Sequence, residues 1–305
     1  MDTKFIIQKS ATHNIDTSKL PNLNDDELEL CEKYIDLTNN IIETDQLFDA
    51  FYFNYLMLQN SFKLNLDGSI TRTDHYFDFY SEYIAINSLV TNVISSAKTF
   101  TEFLRQIATE HCINKDDFDK YVSNIYDSST NYFILNNLRN FVQHRSLSLS
   151  FENGIYSFDL VQILFTKHSN LNKNFTMKLE DFIEQHTEYG GEYPRIILAY
   201  ALVDYTVKII EIYKKYLFTI KKDVSHCYRS VIKLAHDTPE LINHSEEKSN
   251  DLFMFKKSNE THCFLINDNP NKNINSYEEK INRIYKIEKK VLDDLNTEIK
   301  NSYIN

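Results

Sequence analysis

Apolar residues recur three and four apart through most of the chain, and strict alternation is confined to a few short stretches. Asn24-Asp25-Asp26-Glu27 reads as a capped helix start, with Glu three residues after Asn, and a helix follows through Leu28, Cys31 and Ile35. A second helical stretch runs through Phe48, Tyr52, Tyr55 and Phe62 and stops near Asp67-Gly68. A long helix is predicted over 74–110, where Ile86, Leu89, Val90, Val93, Ile94, Ala97, Phe100 and Leu104 form one buried face. A short helix near 115–126 precedes Asp127-Ser128-Ser129-Thr130, four residues of N-cap type, and these open a helix over about 131–145.

The pattern then changes. Ser146 to Phe151 alternates strictly, Asn153-Gly154 is a hairpin turn signal, and Ile155 to Phe165 reads as the return strand. A polar connection ends at Gly190-Gly191. Residues 193–222 predict another long helix, extended by a further one to about His236. Leu252–Lys257 and His262–Ile266 predict a second hairpin turning near Ser258-Asn259. An Asn-rich loop over 267–275 leads to Ser276-x-x-Glu279, a capping box, and a last amphipathic helix with Tyr277, Ile281, Ile284, Val291, Leu292, Leu295 and Ile299 on one side. The reading is mainly α, a helical bundle with long helices and one or two small antiparallel β-hairpins. Residues 1–240 form its helical core, with an inserted hairpin over 146–166. Residues 241–305 form a C-terminal hairpin plus helix, bounded by the polar stretch 237–250.

Composition supports this and narrows the function. Only 4 Gly and 4 Pro in 305 residues favour long helices over tight turns. The net charge of −11 argues against a nucleic-acid protein that binds through one broad basic face. RNA binding would have to come from a local basic pocket or a partner. Cys31, Cys112, Cys227 and Cys263 form no C-x-x-C pair, which fits a reducing cytoplasm. Three His–Cys neighbours (His111-Cys112, His226-Cys227, His262-Cys263) lack zinc-ligand spacing, so no metal and no cofactor is expected. No signal peptide is read at the N-terminus, and the most apolar run, Ile196 to Val203, is too short to span a bilayer. No membrane partner is expected. Asp204, inside an apolar helix, is read as paired with a Tyr or Lys.

One cluster stands apart. On a helix over 134–144, Ile134, Leu135, Leu138, Phe141 and Val142 fall on one side. Asn136, Arg139, Asn140, Gln143 and His144 fall on the other, with no acid among them. Arg139 and Gln143 are i,i+4 neighbours, as are Asn140 and His144. Arg binds phosphate through paired donors, His takes and gives protons near neutral pH, and carboxamides orient a substrate. Such a set suffices for RNA cleavage by the neighbouring 2′-hydroxyl without a metal. Arg145 and Lys167 are candidates to extend it. The plain alternative is a polar helix face whose Arg bridges neighbouring elements.

Arg139-Asn140-x-x-x-His144 resembles the signature of the HEPN superfamily, in which Arg is separated from His by four to six residues and is often followed by a polar residue. The resemblance implies a metal-independent endoribonuclease acting at a composite site between two copies of the chain. It also implies a role as a toxin or as an effector of bacterial antiviral defence, with an antitoxin or regulatory protein as further partner. Arg139, Asn140 and His144 are then the catalytic set, and Gln143, Arg145 and Asn136 the expected substrate contacts. Arg105 to His111 and Arg229 to His236 match the loose spacing but lack the following Asn, and both are read as structural. The alternatives are a catalytically inactive binding module of the same fold, and a scaffold whose long helices dimerise.

Overall fold

The computed structural model describes residues 23–64, 69–72, 79–111, 115–142, 149–152, 154–165, 173–188, 195–237, 242–243, 251–257, 260–266 and 270–302. The architecture is mainly helical with small antiparallel sheets. The chain divides into two compact units. One holds residues 42–219 and 283–305, the other 1–41 and 220–282. The boundary expected near 237–250 falls inside the second unit, which groups the end of one long helix, a sheet and the start of another.

Helix α1 (Asp25–Ser61) opens with the expected reciprocal cap. The Glu27 amide donates to Asn24 Oδ1 and the Asn24 amide to Glu27 Oε2, each at 2.9 Å. The two helical stretches expected here are one helix. No Gly or Pro interrupts 25–61, and Leu37 and Thr44 are buried along the join. The helix ends at Ser61 rather than near Gly68. Phe62–Leu64 (β1) instead pairs antiparallel with Ile70–Arg72 (β2), burying Phe62 and Ile70.

In the larger unit, α2 (Phe79–His111), α3 (Lys115–Ser128) and α4 (Thr130–Val142) follow in order. The buried face expected on α2 is present at Ile86, Val90, Val93, Ile94, Ala97, Phe100 and Leu104. The expected hairpin forms between β3 (Leu149–Glu152) and β4 (Ile155–Asp159), turning through Gly154 at φ +82°, a conformation that favours glycine. The return strand stops at Asp159, not Phe165. The Asp159 carboxylate accepts the Gln162 amide at 2.8 Å and caps a short helix, α5 (Leu160–Phe165). The connection before Gly190-Gly191 contains α6 (Lys173–Glu188), which buries Phe175 and Leu179, four residues apart.

A third strand, β5 (Arg195–Ile197), then joins β4 and completes a three-stranded sheet. Tyr83 and Tyr156 tie that sheet to α2, the first donating to Leu149 O at 3.1 Å and the second to the Glu82 carboxylate at 3.3 Å. A single helix, α7 (Leu198–Asp237), follows where two were expected. Its first half brings Tyr213 into an aromatic core with Phe48 (4.8 Å between ring centres) and Phe100 (5.2 Å). The Tyr213 hydroxyl donates to Asp45.

The smaller unit contains a sheet of β6 (Ile242–Asn243), β7 (Asp251–Lys257) and β8 (Glu260–Ile266), so the second expected hairpin gains a short third strand. Helix α8 (Pro270–Ser302) begins six residues before the expected capping box. Proline suits a first helical turn, where its missing N–H goes unused, so residues 270–275 of the expected loop are helical, and 267–269 lie outside the described residues. Cys31, Val231, Leu234 and Ala235 form a buried cluster in this unit. The second half of α8 belongs to the larger unit, where Arg283 pairs with Asp49 and Lys214 with Glu288 at 2.8 Å. Among the described residues no helix is long and apolar enough to cross a membrane.

Candidate functional site

Helix α4 is fixed at its start by a small polar network. The Ser129 hydroxyl accepts the Tyr132 amide at 3.1 Å, the N-cap interaction expected from the Ser-Thr cluster. The same hydroxyl donates to Asp204 Oδ2 at 2.8 Å, and Asn131 Nδ2 donates to that oxygen at 3.2 Å. Asp204 of α7 therefore pins the helix start, and a carboxylate there also suits the helix dipole. Its partners are a Ser and an Asn rather than the expected Tyr or Lys. Past the cap, Tyr132, Phe133, Ile134 and Leu135 are all buried, so the helix is enclosed over a full turn.

The polar stripe lies against α2. Tyr132, Asn136 and Arg139 are spaced i, i+4, i+7 on α4, and Lys98, Glu102 and Arg105 have the same spacing on α2. The stripes run antiparallel. Tyr132 feels the charge of Arg105 and the Thr101 hydroxyl, whereas Lys98 feels Arg139. Lys98 Nζ lies 3.5 Å from Glu102 Oε1. Burial lowers the Lys98 pKa first. Glu102 opposes that shift, while the cations Arg105 and Arg139 add to it. Burial pushes the Tyr132 hydroxyl up to about 12 against the pull of Arg105.

Two polar atoms on this stripe, Asn136 Oδ1 and Arg139 Nε, are sealed from solvent without a hydrogen-bond partner among the described residues. Asn137, one position along, is satisfied by contrast. Its Nδ2 donates to the Tyr126 hydroxyl at 2.8 Å and to Phe133 O at 2.7 Å.

The expected face is therefore partly internal. Asn136 and Arg139 are half-buried instead of solvent-facing, because the seam with α2 covers their inner atoms. The helix backbone continues through Asn140 to Val142. The side chain of Asn140, and Gln143, His144, Arg145 and Lys167, lie outside the described residues. Lys98 and Arg105 were absent from the sequence-derived site. Their i,i+7 spacing was visible, but the stripe of α2 that meets α4 is a long-range fact. Arg229 and His236 are both exposed on α7. Among the described residues no group of three His, Cys, Asp or Glu side chains converges to hold a metal ion.

Comparison with protein-family models, curated proteins and solved structures returns no match.

Proposed function

We propose that the protein is a metal-independent endoribonuclease in which Arg139 holds the scissile phosphate, His144 moves the proton and Asn140 orients the reacting groups. The observation that carries this reading is Arg139 itself, a buried-stemmed guanidinium whose Nε has no hydrogen-bond partner among the described residues, beside a second cation in an otherwise acidic chain. A guanidinium held this way is pre-organised for an oxyanion. His144 as base would take the proton of the ribose 2′-hydroxyl. That oxygen would attack the adjacent phosphorus, the 5′-oxygen would leave with a proton, and a 2′,3′-cyclic phosphate would remain. Gln143, Arg145 and Asn136 would contact the substrate.

A composite site in a homodimer, a cytoplasmic setting, a toxin or antiviral role and control by an antitoxin or regulatory protein belong to the same proposal. They rest on the resemblance of Arg139-Asn140-x-x-x-His144 to the HEPN signature. The net charge of −11 favours a second reading, a catalytically inactive binding module or dimeric scaffold.

The test is cleavage of a labelled single-stranded RNA in EDTA at low salt, beside His144→Ala. Cleavage by the wild-type protein alone, leaving a cyclic phosphate, supports the ribonuclease. Silence from both across RNAs and concentrations selects the binding module. Equal cleavage by both removes His144 from the mechanism.

A further inference from the structure

Two cysteines of the smaller unit are far apart in sequence and together in space. Cys31 lies near the start of α1 and Cys227 near the end of α7, with α2 to α6 between them along the chain. Both are buried free thiols. Cys31 packs with Val231, Leu234 and Ala235 of α7, and Val231 lies one turn from Cys227. The Cys227 thiol points to Leu30 O at 3.9 Å, the carbonyl next to Cys31 in the chain. Cys227 also acts on the Tyr34 hydroxyl, one turn beyond Cys31, and the Tyr34 and Tyr228 rings meet beside the pair. Cys227 is thus seated on the stretch of α1 that carries Cys31.

Helices packed at the usual axial separation of about 8–10 Å bring inward-facing Cα atoms within the about 4.4–6.8 Å that a disulfide spans. Burial raises the pKa of both thiols. Cys227, Glu27 and Glu32 raise Cys31 further, to about 12. At Cys227 the Lys33 ammonium opposes the rise and Asp223 adds to it, which leaves that thiol at about 11. Cys227 is therefore the first of the two to ionise.

We infer that Cys31 and Cys227 are a redox pair, which a small-molecule disulfide oxidant joins into a staple between the start of α1 and the end of α7. The Cys227 thiolate, its proton released to water, attacks one sulfur of oxidised glutathione, and one glutathione thiolate leaves and takes up a proton. Cys31, deprotonated in turn, attacks the Cys227 sulfur of the mixed disulfide and releases the second glutathione. Two protein thiols are oxidised, and one glutathione disulfide is reduced to two thiols. Neither sulfur is exposed, so exchange proceeds when α1 lifts locally from α7, and it is slow in the native state. A staple across so long a stretch of chain confines the unfolded state strongly, which stabilises the fold.

The experiment incubates the full chain with oxidised glutathione at pH 8 and quenches it with N-ethylmaleimide. Digestion without reduction and mass spectrometry then map the cross-links. A Cys31–Cys227 peptide is expected as the main product, and dithiothreitol should remove it. The same oxidation in concentrated urea is expected to favour Cys227–Cys263, the pair nearest in sequence, because short loops close most readily in an unfolded chain. The oxidised chain is expected to melt roughly 4–8 °C above the reduced one. Cys112→Ser with Cys263→Ser should leave both the product and the shift in place.

Main products that join either thiol to glutathione, Cys112 or Cys263 would overturn the pair. So would the same mixture from folded and urea-treated chains, or thiols left reduced at an oxidant excess that fully oxidises the urea-treated chain. A Cys31–Cys227 cross-link that leaves the melting temperature unchanged or lowers it would overturn the staple.

Discussion

Two interiors of this molecule treat buried polar groups in opposite ways. In the smaller unit, Cys31 and Cys227 are buried together. Burial holds their thiols protonated, with pKa values pushed up to about 12 and about 11, and the Cys227 thiol points to Leu30 O at 3.9 Å. The Tyr34 and Tyr228 rings lie nearby, tilted by 35° with centres 6.1 Å apart. The buried polar groups there are neutral, and the charged Glu27, Glu32, Lys33 and Asp223 act on the thiols from around them. Along the α2–α4 seam charged groups meet: Lys98 and Arg139 repel, Glu102 attracts Lys98, and Asn136 Oδ1 and Arg139 Nε have no hydrogen-bond partner among the described residues. The contrast separates an interior closed by neutral groups from a seam that keeps charged ones. A buried donor left without a partner costs about 1–3 kcal/mol.

Arg139→Met breaks the comparison most sharply. It deletes the donor that has no partner among the described residues, and a repelling charge, while keeping apolar volume. RNA cleavage is expected to fall at least ~100-fold while the melting temperature holds or rises. A drop of several degrees in a thermal melt would instead make Arg139 a structural bridge. In the smaller unit, Leu234→Ala is expected to lose about 2–5 kcal/mol by emptying a closed cluster, read by urea denaturation. Asp204→Ala should cost about 1–2 kcal/mol because it strips Ser129 and Asn131 of their shared acceptor. The same titration checks it.

The smallest effect is alkaline. A thiol whose pKa rises from 9.0 in the open chain to about 12 when folded holds its proton more tightly in the folded state. Its contribution to stability is complete below pH 9 and is lost as pH climbs through the folded value. Stability should therefore decline above pH 9, and Cys31→Ala with Cys227→Ala should flatten that decline. Iodoacetamide should label neither thiol appreciably at pH 8 in the native protein, since the reactive thiolate is suppressed.

Local signals were legible in the sequence, and long-range ones were not. The Asn24/Glu27 cap, the Ser129 cap and the Gly154 turn each involve residues within a few positions of one another, and each forms as read. Helix α6 went unseen because Phe175 and Leu179 are spaced helically within a mostly polar stretch. Strand β5 was hidden inside an apolar run that continues directly into α7, and only its partner β4 makes it a strand. At the candidate site, the i, i+4, i+7 order of Tyr132, Asn136 and Arg139 was readable. That this stripe turns inward against Lys98, Glu102 and Arg105 depends on a helix some thirty residues away, which no periodicity within α4 encodes.

The placement of α8 bears on the order in which the protein can assemble. Asp49 and Lys214 belong to the larger unit, yet their partners Arg283 and Glu288 come after the whole sheet of the smaller unit. A growing chain that has reached Ile266 already carries α2, α4 and α7 but still lacks the segment that pairs with Asp49 and Lys214. The larger unit is thus expected to mature late. Its loops span most of the sequence, and closing such loops is slow. A chain cut short after the sheet would retain every residue of the α2–α4 seam without the clamp at Asp49 and Lys214.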